Sequence, residues 1–323
     1  MKALVTGGAG FIGFHLAARL VADGNDVMLC DDLSRGHLDD DLKRLLEAPN
    51  VSLVQVNLKD SAAFDLLPTD CDVVYHLAAV NGTRNFYDRP YEVVRTNLLC
   101  LMNLLDWLPK VSSSKLVWTS SSEVYAGSVT TQGLPIPTAE EVPLTIEDVT
   151  NPRFSYAGSK LAGELLCWND AQARAADTVI VRPHNIYGPR MGSDHVVSEF
   201  IQRINKHEDP FRIFGTSQSR SFCYIDDFVE GLVLAGATPL TAGPTIINIG
   251  NDTETVISDL AQHLFDIANF HPSIDKRPSP PGSVDRRCPD LSKARTLLKY
   301  QPRVGLEEGL KKTFDWYSSH LPK

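Results

Sequence analysis

Tyr156 and Lys160 stand four residues apart in Phe154-Ser-Tyr-Ala-Gly-Ser-Lys160. On a helix that spacing is about one turn and puts both side chains on one face. An ammonium beside a phenol favours the phenolate, which makes the tyrosine a candidate general base near neutral pH. Upstream lies Ser120-Ser-Ser-Glu-Val-Tyr125, where the Ser121 hydroxyl is placed to share the base's hydrogen-bonding partner and Glu123 adds a carboxylate. The chain opens on Thr6-Gly-Gly-Ala-Gly-Phe-Ile-Gly13, a loop suited to a phosphate-bearing cofactor. A base serves oxidation of an alcohol only where something accepts a hydride, and a nicotinamide dinucleotide supplies that acceptor.

The glycine loop sits between an expected strand and an expected helix. Gly7, Gly10 and Gly13 let the backbone turn tightly and approach a pyrophosphate, which then rests on the helix start at Phe11 and Ile12. The second strand ends in Asp31-Asp32, whose carboxylates would bond the adenosine ribose and repel a 2′-phosphate, so NAD is expected over NADP. Arg35, close by, is the residue that could reverse that choice. Asn57-Leu58, after the third strand, is placed to reach the adenine. Leu77-Ala78-Ala79, after His76 on the fourth strand, would lie along the cofactor.

These positions need a scaffold. Short apolar runs at Lys2–Thr6, Asp26–Cys30, Ser52–Val56, Asp72–His76, Lys115–Thr119 and Thr178–Arg182 read as strands buried on both sides. Helical stretches near Phe11–Ala22, Tyr91–Leu108 and Ser155–Ala175 alternate with them. That rhythm predicts an α/β fold: a Rossmann-type doubly wound parallel sheet over residues 1–182. Residues 183–323 are expected to form a smaller α+β substrate domain that closes over the first. Strands near 221–226 and 245–249 could return to the main sheet. Helices are expected at His195–Lys206, Asp227–Ala235, Ile257–Ala268, Leu291–Leu298 and Leu306–Ser318, and Arg277-Pro-Ser-Pro-Pro-Gly282 reads as a loop.

Composition narrows the partners. The 323 residues carry a formal net charge of −9, which argues against general affinity for nucleic acid or an anionic membrane. The six cysteines have no Cys-x-x-Cys and no matching histidine spacing, so neither a disulfide framework nor a metal site is expected. No apolar run is long enough to span a bilayer, and a soluble cytoplasmic protein is expected.

With these motifs in order, the chain resembles the extended short-chain dehydrogenase/reductase family of nucleotide-sugar epimerases, dehydratases and decarboxylases. The likeness also rests on Arg182-Pro-His-Asn-Ile-Tyr-Gly-Pro-Arg190 and Arg220-Ser-Phe-Cys-Tyr-Ile-Asp-Asp227. The latter segment, with Gly282–Leu291 and Val304–Gly309, looks most like UDP-glucuronate decarboxylases. Two stretches depart from that pattern. Val80-Asn-Gly-Thr-Arg-Asn-Phe86 replaces a proline- and serine-rich segment that touches the sugar, and Asn57 replaces a strand-ending aspartate.

The resemblance implies tightly bound NAD and a nucleoside-diphosphate sugar. Tyr156 would take the proton from a sugar hydroxyl at C4, with Lys160 lowering its pKa and bonding the nicotinamide ribose, and Ser121 bonding the same hydroxyl. Glu123 occupies the place of the dehydratase glutamate, which favours chemistry beyond C4: dehydration or decarboxylation, with 4-epimerisation as the alternative. Asn81, Ser122 and Asn185 are implied sugar or diphosphate contacts. Arg220 and Arg287 are candidate diphosphate clamps; in the decarboxylases an arginine near Arg287 meets the sugar carboxylate, and Arg286 is too close to Arg287 to separate their roles. His184 and His195 read as structural. Family members dimerise through the helices at Tyr91–Leu108 and Ser155–Ala175; Leu98, Leu101, Leu104 and Leu105 suit either that contact or packing on the sheet. The readings outside this class are an NADPH-dependent ketone reductase and a non-catalytic NAD-binding regulator.

Overall fold

The computed structural model describes residues 1–112, 115–240, 243–279 and 283–320. Its strands are β1 Lys2–Thr6, β2 Asp26–Asp31, β3 Val51–Gln55, β4 Val73–His76, β5 Lys115–Thr119, β6 Thr178–Pro183, β7 Ile186–Tyr187, β8 Phe211–Phe214, β9 Ser219–Ser221, β10 Cys223–Tyr224, β11 Thr245–Ile249, β12 Glu254–Val256, β13 Ile274–Arg277 and β14 Arg286–Arg287. Its helices are α1 Phe11–Ala22, α2 Asp40–Leu45, α3 Thr83–Asp88, α4 Pro90–Trp107, α5 Ala126–Gln132, α6 Phe154–Arg174, α7 Val196–Asn205, α8 Ile225–Ala237, α9 Ile257–Ala268, α10 Ser292–Leu298 and α11 Leu306–His320.

The main sheet has seven strands in the order β11-β6-β5-β4-β1-β2-β3. The pairings β3-β2-β1-β4-β5-β6 are all parallel. Order reverses between β1 and β4, and in such sheets ligands bind beyond the strand ends at that switch point. The apolar runs are buried because helices cover both faces: every residue of β4 and β5 is buried. One core cluster joins Leu4, Cys30, Val74, Leu116 and Ile180 of the sheet to Leu101, Leu104 and Leu105 of α4 and Cys167 of α6. These three leucines therefore serve the sheet. Met102, Leu165 and Trp168, on α4 and α6, remain 41%, 62% and 38% exposed.

The chain divides into two compact units. The first contains residues 1–124, 146–182 and 229–247; the second contains 125–145, 183–228 and 248–323. Of the strands expected to return to the main sheet, β11 is in it, whereas β9 and β10 belong to smaller sheets, because β10 pairs with β7 and β9 with β12 and β14. The expected loop at Arg277–Gly282 begins where β13 ends, and its residues 280–282 lie outside the described residues. Among the described residues, no helix is long and apolar enough to cross a membrane.

Candidate active site

In the glycine loop, Gly7 takes φ +69°, and a Cβ there would lie 2.9 Å from the Ala78 amide nitrogen. A Cβ on Gly13 would collide with the Gly7 carbonyl. These two glycines let the loop pack on itself and on the end of β4. Gly10 differs: only the Gly7 carbonyl, at 3.2 Å, borders its missing side chain. Gly10 is the N-cap of α1 and supplies no side-chain cap, so the first amides at Phe11 and Ile12 keep donors for an anion. The loop therefore fits a dinucleotide pyrophosphate.

Asp31 accepts from the Ala9 amide at 3.0 Å and from the Leu33 amide at 2.8 Å, one through each oxygen. It ties the glycine loop to the loop after β2, and each oxygen retains a lone pair toward a ribose hydroxyl. Burial pushes its pKa up, opposed by those two amides. Asp32 accepts from the Ser34 amide at 2.9 Å, and Asn57 from the Lys59 amide at 3.0 Å. Leu58 is buried in the core cluster. Arg35 bonds the Asn81 side chain, joining the loop after β2 to the loop after β4.

Thr6 organises the ends of β1 and β4. Its Oγ1 accepts from the Leu77 and Ala78 amides, both at 3.2 Å, and lies 2.8 Å from His76 Nδ1. With its acceptor capacity used, the hydroxyl proton goes to Nδ1, which fixes a neutral histidine protonated at Nε2. Burial, reinforced by Lys160, pushes the His76 pKa down to about 3. Ala79 follows directly, and the Val80 amide donates to Asn97 Oδ1 at 2.7 Å.

The catalytic candidates converge on the end of β5 and the start of α6. Tyr156 is 8% exposed and hydrogen-bonds Ser121. Because Ser121 Oγ accepts from the Glu123 amide at 3.2 Å, its proton is available to the phenol oxygen. The Phe86 ring stacks on Tyr156, centroids 4.8 Å apart and planes 14° apart. Lys160 is 4% exposed. Its ammonium donates to the Thr119 carbonyl at 2.7 Å and lies 5.7 Å from the Tyr156 ring centroid.

Burial pushes the phenol up to about 12. The influences opposing burial are the Ser121 bond and, at longer range, Arg35, while Glu123 pushes the same way as burial. The Lys160 ammonium is committed to Thr119 and is itself lowered to about 8 by burial. Helical spacing put the two on one face, but it could not say which acceptor the lysine would choose.

Sequence reading overlooked several residues of this site. Arg153 Nη2 lies 3.5 Å from Glu123 Oε2. Asn97 holds the Val80 carbonyl at 3.1 Å and Ser159 Oγ at 3.1 Å, and Ser159 in turn donates to the Tyr156 carbonyl at 2.8 Å. Glu164 receives Ser120 Oγ at 2.5 Å and Arg182 through both oxygens, at 2.8 and 2.6 Å. A lone asparagine in the stripe Val93-Asn97-Leu101-Leu104 was the available signal, since a buried polar group needs partners. Ser122 is buried in the 3₁₀ turn Ser122–Tyr125.

The second unit holds the remaining candidates. Asn185 takes φ +42° and donates to the Ser221 carbonyl at 2.9 Å. Arg287 pairs with Arg220 in the parallel register of β14 and β9, which places both on one face of that sheet. Arg220 donates to the carbonyls of Ser219 and Asp285 at 2.7 and 3.1 Å. Arg286 points to Glu254 instead, in a two-pronged bond. The adjacent arginines thus differ: Arg287 stands in register with Arg220, whereas Arg286 is paired with Glu254. His184 Nε2 meets Asn248 Oδ1 at 3.1 Å, an oxygen that also accepts from Tyr125 at 2.8 Å. Among the described residues no group of histidine, cysteine, aspartate and glutamate is arranged to hold a metal.

Comparison with known proteins agrees with this architecture. The sequence profile of the NAD dependent epimerase/dehydratase family matches residues 3–250. The chain is 31% identical to UDP-N-acetyl-alpha-D-glucosaminuronate decarboxylase of Bacillus cytotoxicus over 98% of this chain and 97% of that one. It is also 31% identical to UDP-glucuronate 4-epimerase of Thermodesulfobacterium geofontis, over 98% and 96%. The crystal structure of UDP-glucuronic acid 4-epimerase from Bacillus cereus, in complex with UDP-glucuronic acid and NAD, superposes with a TM-score of 0.86 at 30% identity and 99% coverage of each chain. With the profile spanning most of its length and relatives matching end to end, the chain belongs to the NAD dependent epimerase/dehydratase family.

Proposed function

We propose that this enzyme decarboxylates a UDP-linked sugar carrying a carboxylate at C6, through a transient 4-keto intermediate. The observation that carries the reading is Glu123, held beside Ser121 and Tyr156 and faced by Arg153. Moving only the C4 hydroxyl needs no carboxylate at that point; chemistry at C5 and C6 does. The named relatives act on uronate nucleotides, which supports the substrate class.

NAD, when bound, would supply the two-electron acceptor, and its positive charge would favour the Tyr156 phenolate. Tyr156 then takes the C4 hydroxyl proton, and Ser121 holds that oxygen as the carbonyl forms. The C4 ketone is β to the C6 carboxylate, so the bond from C5 to C6 breaks, carbon dioxide leaves, and the electron pair rests in the C4–C5 enolate. Glu123 hands C5 a proton drawn from solvent, and Tyr156 returns its proton to the C4 oxygen as the carbon is reduced again. No net oxidation results. Lys160, Asp31, Asp32, Asn57, Leu77, Ala78 and Ala79 are assigned to NAD, and Asn81, Ser122, Asn185, Arg220 and Arg287 to the nucleotide sugar. The exposed apolar residues Met102, Leu165 and Trp168 support a homodimer through α4 and α6. Six buried free thiols support a reducing, cytoplasmic location.

The test is incubation with UDP-glucuronate and analysis by mass spectrometry. Loss of one carbon dioxide supports the proposal. An isomer of unchanged mass would establish 4-epimerisation, the second reading, which an epimerase relative also supports.

A further inference from the structure

We propose that Arg153 helps select a uronate over a neutral hexose, by exchanging its ion pair with Glu123 for one with the sugar's C6 carboxylate. The inference rests on the uronate reading above and names a group that helps enforce it.

Arg153 precedes Tyr156 by three residues, so the two share a face of the helix start, with Cβ atoms on the order of 5–6 Å apart. In the sugar, C6 is two bonds from C4. A group that meets the C6 carboxylate while Tyr156 meets the C4 oxygen must therefore come from the immediate surroundings of Tyr156, and Arg153 does. Its side chain is 19% exposed and that of Glu123 is 23% exposed, which keeps the pair out of full solvent screening.

The pair is loosely made. Its 3.5 Å separation runs through Nη2 and exceeds the roughly 2.7–2.9 Å of a tight charge-assisted bond. A guanidinium carries five donors in a fork that matches a carboxylate through two parallel bonds. Arg153 also stands at the N-cap of the 21-residue α6, which has no acidic residue in its first turn. A cation at that end of the helix is opposed by the macrodipole, whereas an anion is favoured. With the Phe154 and Ser155 amides already given to the Asn151 and Pro152 carbonyls, it is the guanidinium that calls for a negative group at this place. Glu123 fills it in the structure, and an incoming uronate brings another. Without Arg153, the Glu123 carboxylate would repel that uronate.

Binding of UDP-glucuronate and of UDP-glucose to the NAD-loaded enzyme, measured by calorimetry, tests the assignment. Arg153→Met is expected to weaken UDP-glucuronate about 30-fold and to leave UDP-glucose within about threefold, in the range for a lost charge-assisted bond. Arg153→Lys should recover part of the loss. Glu123→Gln, which frees the guanidinium, should tighten UDP-glucuronate a few-fold, whereas a merely structural pair would suffer from either change. Retained NAD and UDP-glucose binding report an intact fold. Equal weakening of both nucleotides by Arg153→Met, or weakening of neither, overturns the inference while leaving the decarboxylase reading in place. Wild-type enzyme that binds neither nucleotide overturns that reading, and this inference with it.

Discussion

Phe86 lies flat on Tyr156, its centroid 4.8 Å away and its plane 14° off parallel. The aromatic contact shields the phenol from water, and burial is the largest cause of its pKa of about 12. Phe86 belongs to the Val80–Phe86 segment, where the chain departs from the decarboxylases it resembles. We predict that Phe86→Ala lowers the apparent Tyr156 pKa by wetting the site, yet reduces kcat/KM roughly tenfold through the lost positioning contact, which is worth about 0.5–1.5 kcal/mol. A pH profile of kcat/KM checks both. An unchanged alkaline limb would show that Phe86 does not control the phenol.

The division of labour between Tyr156 and Glu123 separates in deuterated water. Tyr156→Phe removes the base and should cut turnover by roughly a factor of a thousand, within the range for general acid–base groups, with nucleotide-sugar binding intact. Glu123→Gln should still form the ketone, seen as transient NADH absorbance, but should put far less solvent deuterium at C5. Equal deuterium incorporation by parent and variant would remove Glu123 from the chemistry at C5.

How much of this was legible beforehand depends on range. The strand ends, the glycine loop and the Tyr156–Lys160 face follow from local periodicity, and each expected strand of the main sheet appears within about two residues of its place, the usual uncertainty of such ends. Thr6 and Asp31 end β1 and β2, and Ser121 follows β5 by two residues. The Lys160–Thr119 bond, the Asn97 bridge and the Arg287–Arg220 register were not legible, because each depends on segments distant in sequence meeting through the sheet. Arg286 and Arg287 look identical in the sequence; only the β14–β9 pairing turns one toward Glu254 and sets the other in register with Arg220.

His76 gives the protein an acid weakness. Its folded pKa of about 3 lies below the ordinary 6.5, so the unfolded chain takes up this proton first as pH falls. The stabilisation is complete above pH 6.5 and is lost progressively toward pH 3, on the order of a few kcal/mol in all. His76→Asn keeps an acceptor for the Thr6 hydroxyl without the titration. Urea midpoints near pH 5 and near pH 7.5 should therefore differ less in the variant than in the parent. A parallel fall in both proteins would place the acid sensitivity elsewhere.

The Glu164–Arg182 pair makes the sharpest structural prediction. Arg182 is 2% and Glu164 4% exposed, and Ser120 donates to the same carboxylate. The pair links the end of β5, next to Ser121, to α6 one turn beyond Lys160, and to β6. Removing one partner leaves a buried charge unpaired, so Arg182→Met alone should cost about 3–5 kcal/mol, whereas the double variant Glu164→Gln/Arg182→Met should be less damaged than Arg182→Met. Urea unfolding of the four proteins measures the coupling. Because Glu164 also orders the serine strand end, the double variant should keep NAD but lose kcat more than it raises KM. Additive losses across the cycle, with kcat preserved, would mean that the pair neither shares a charge nor sets the position of Ser121.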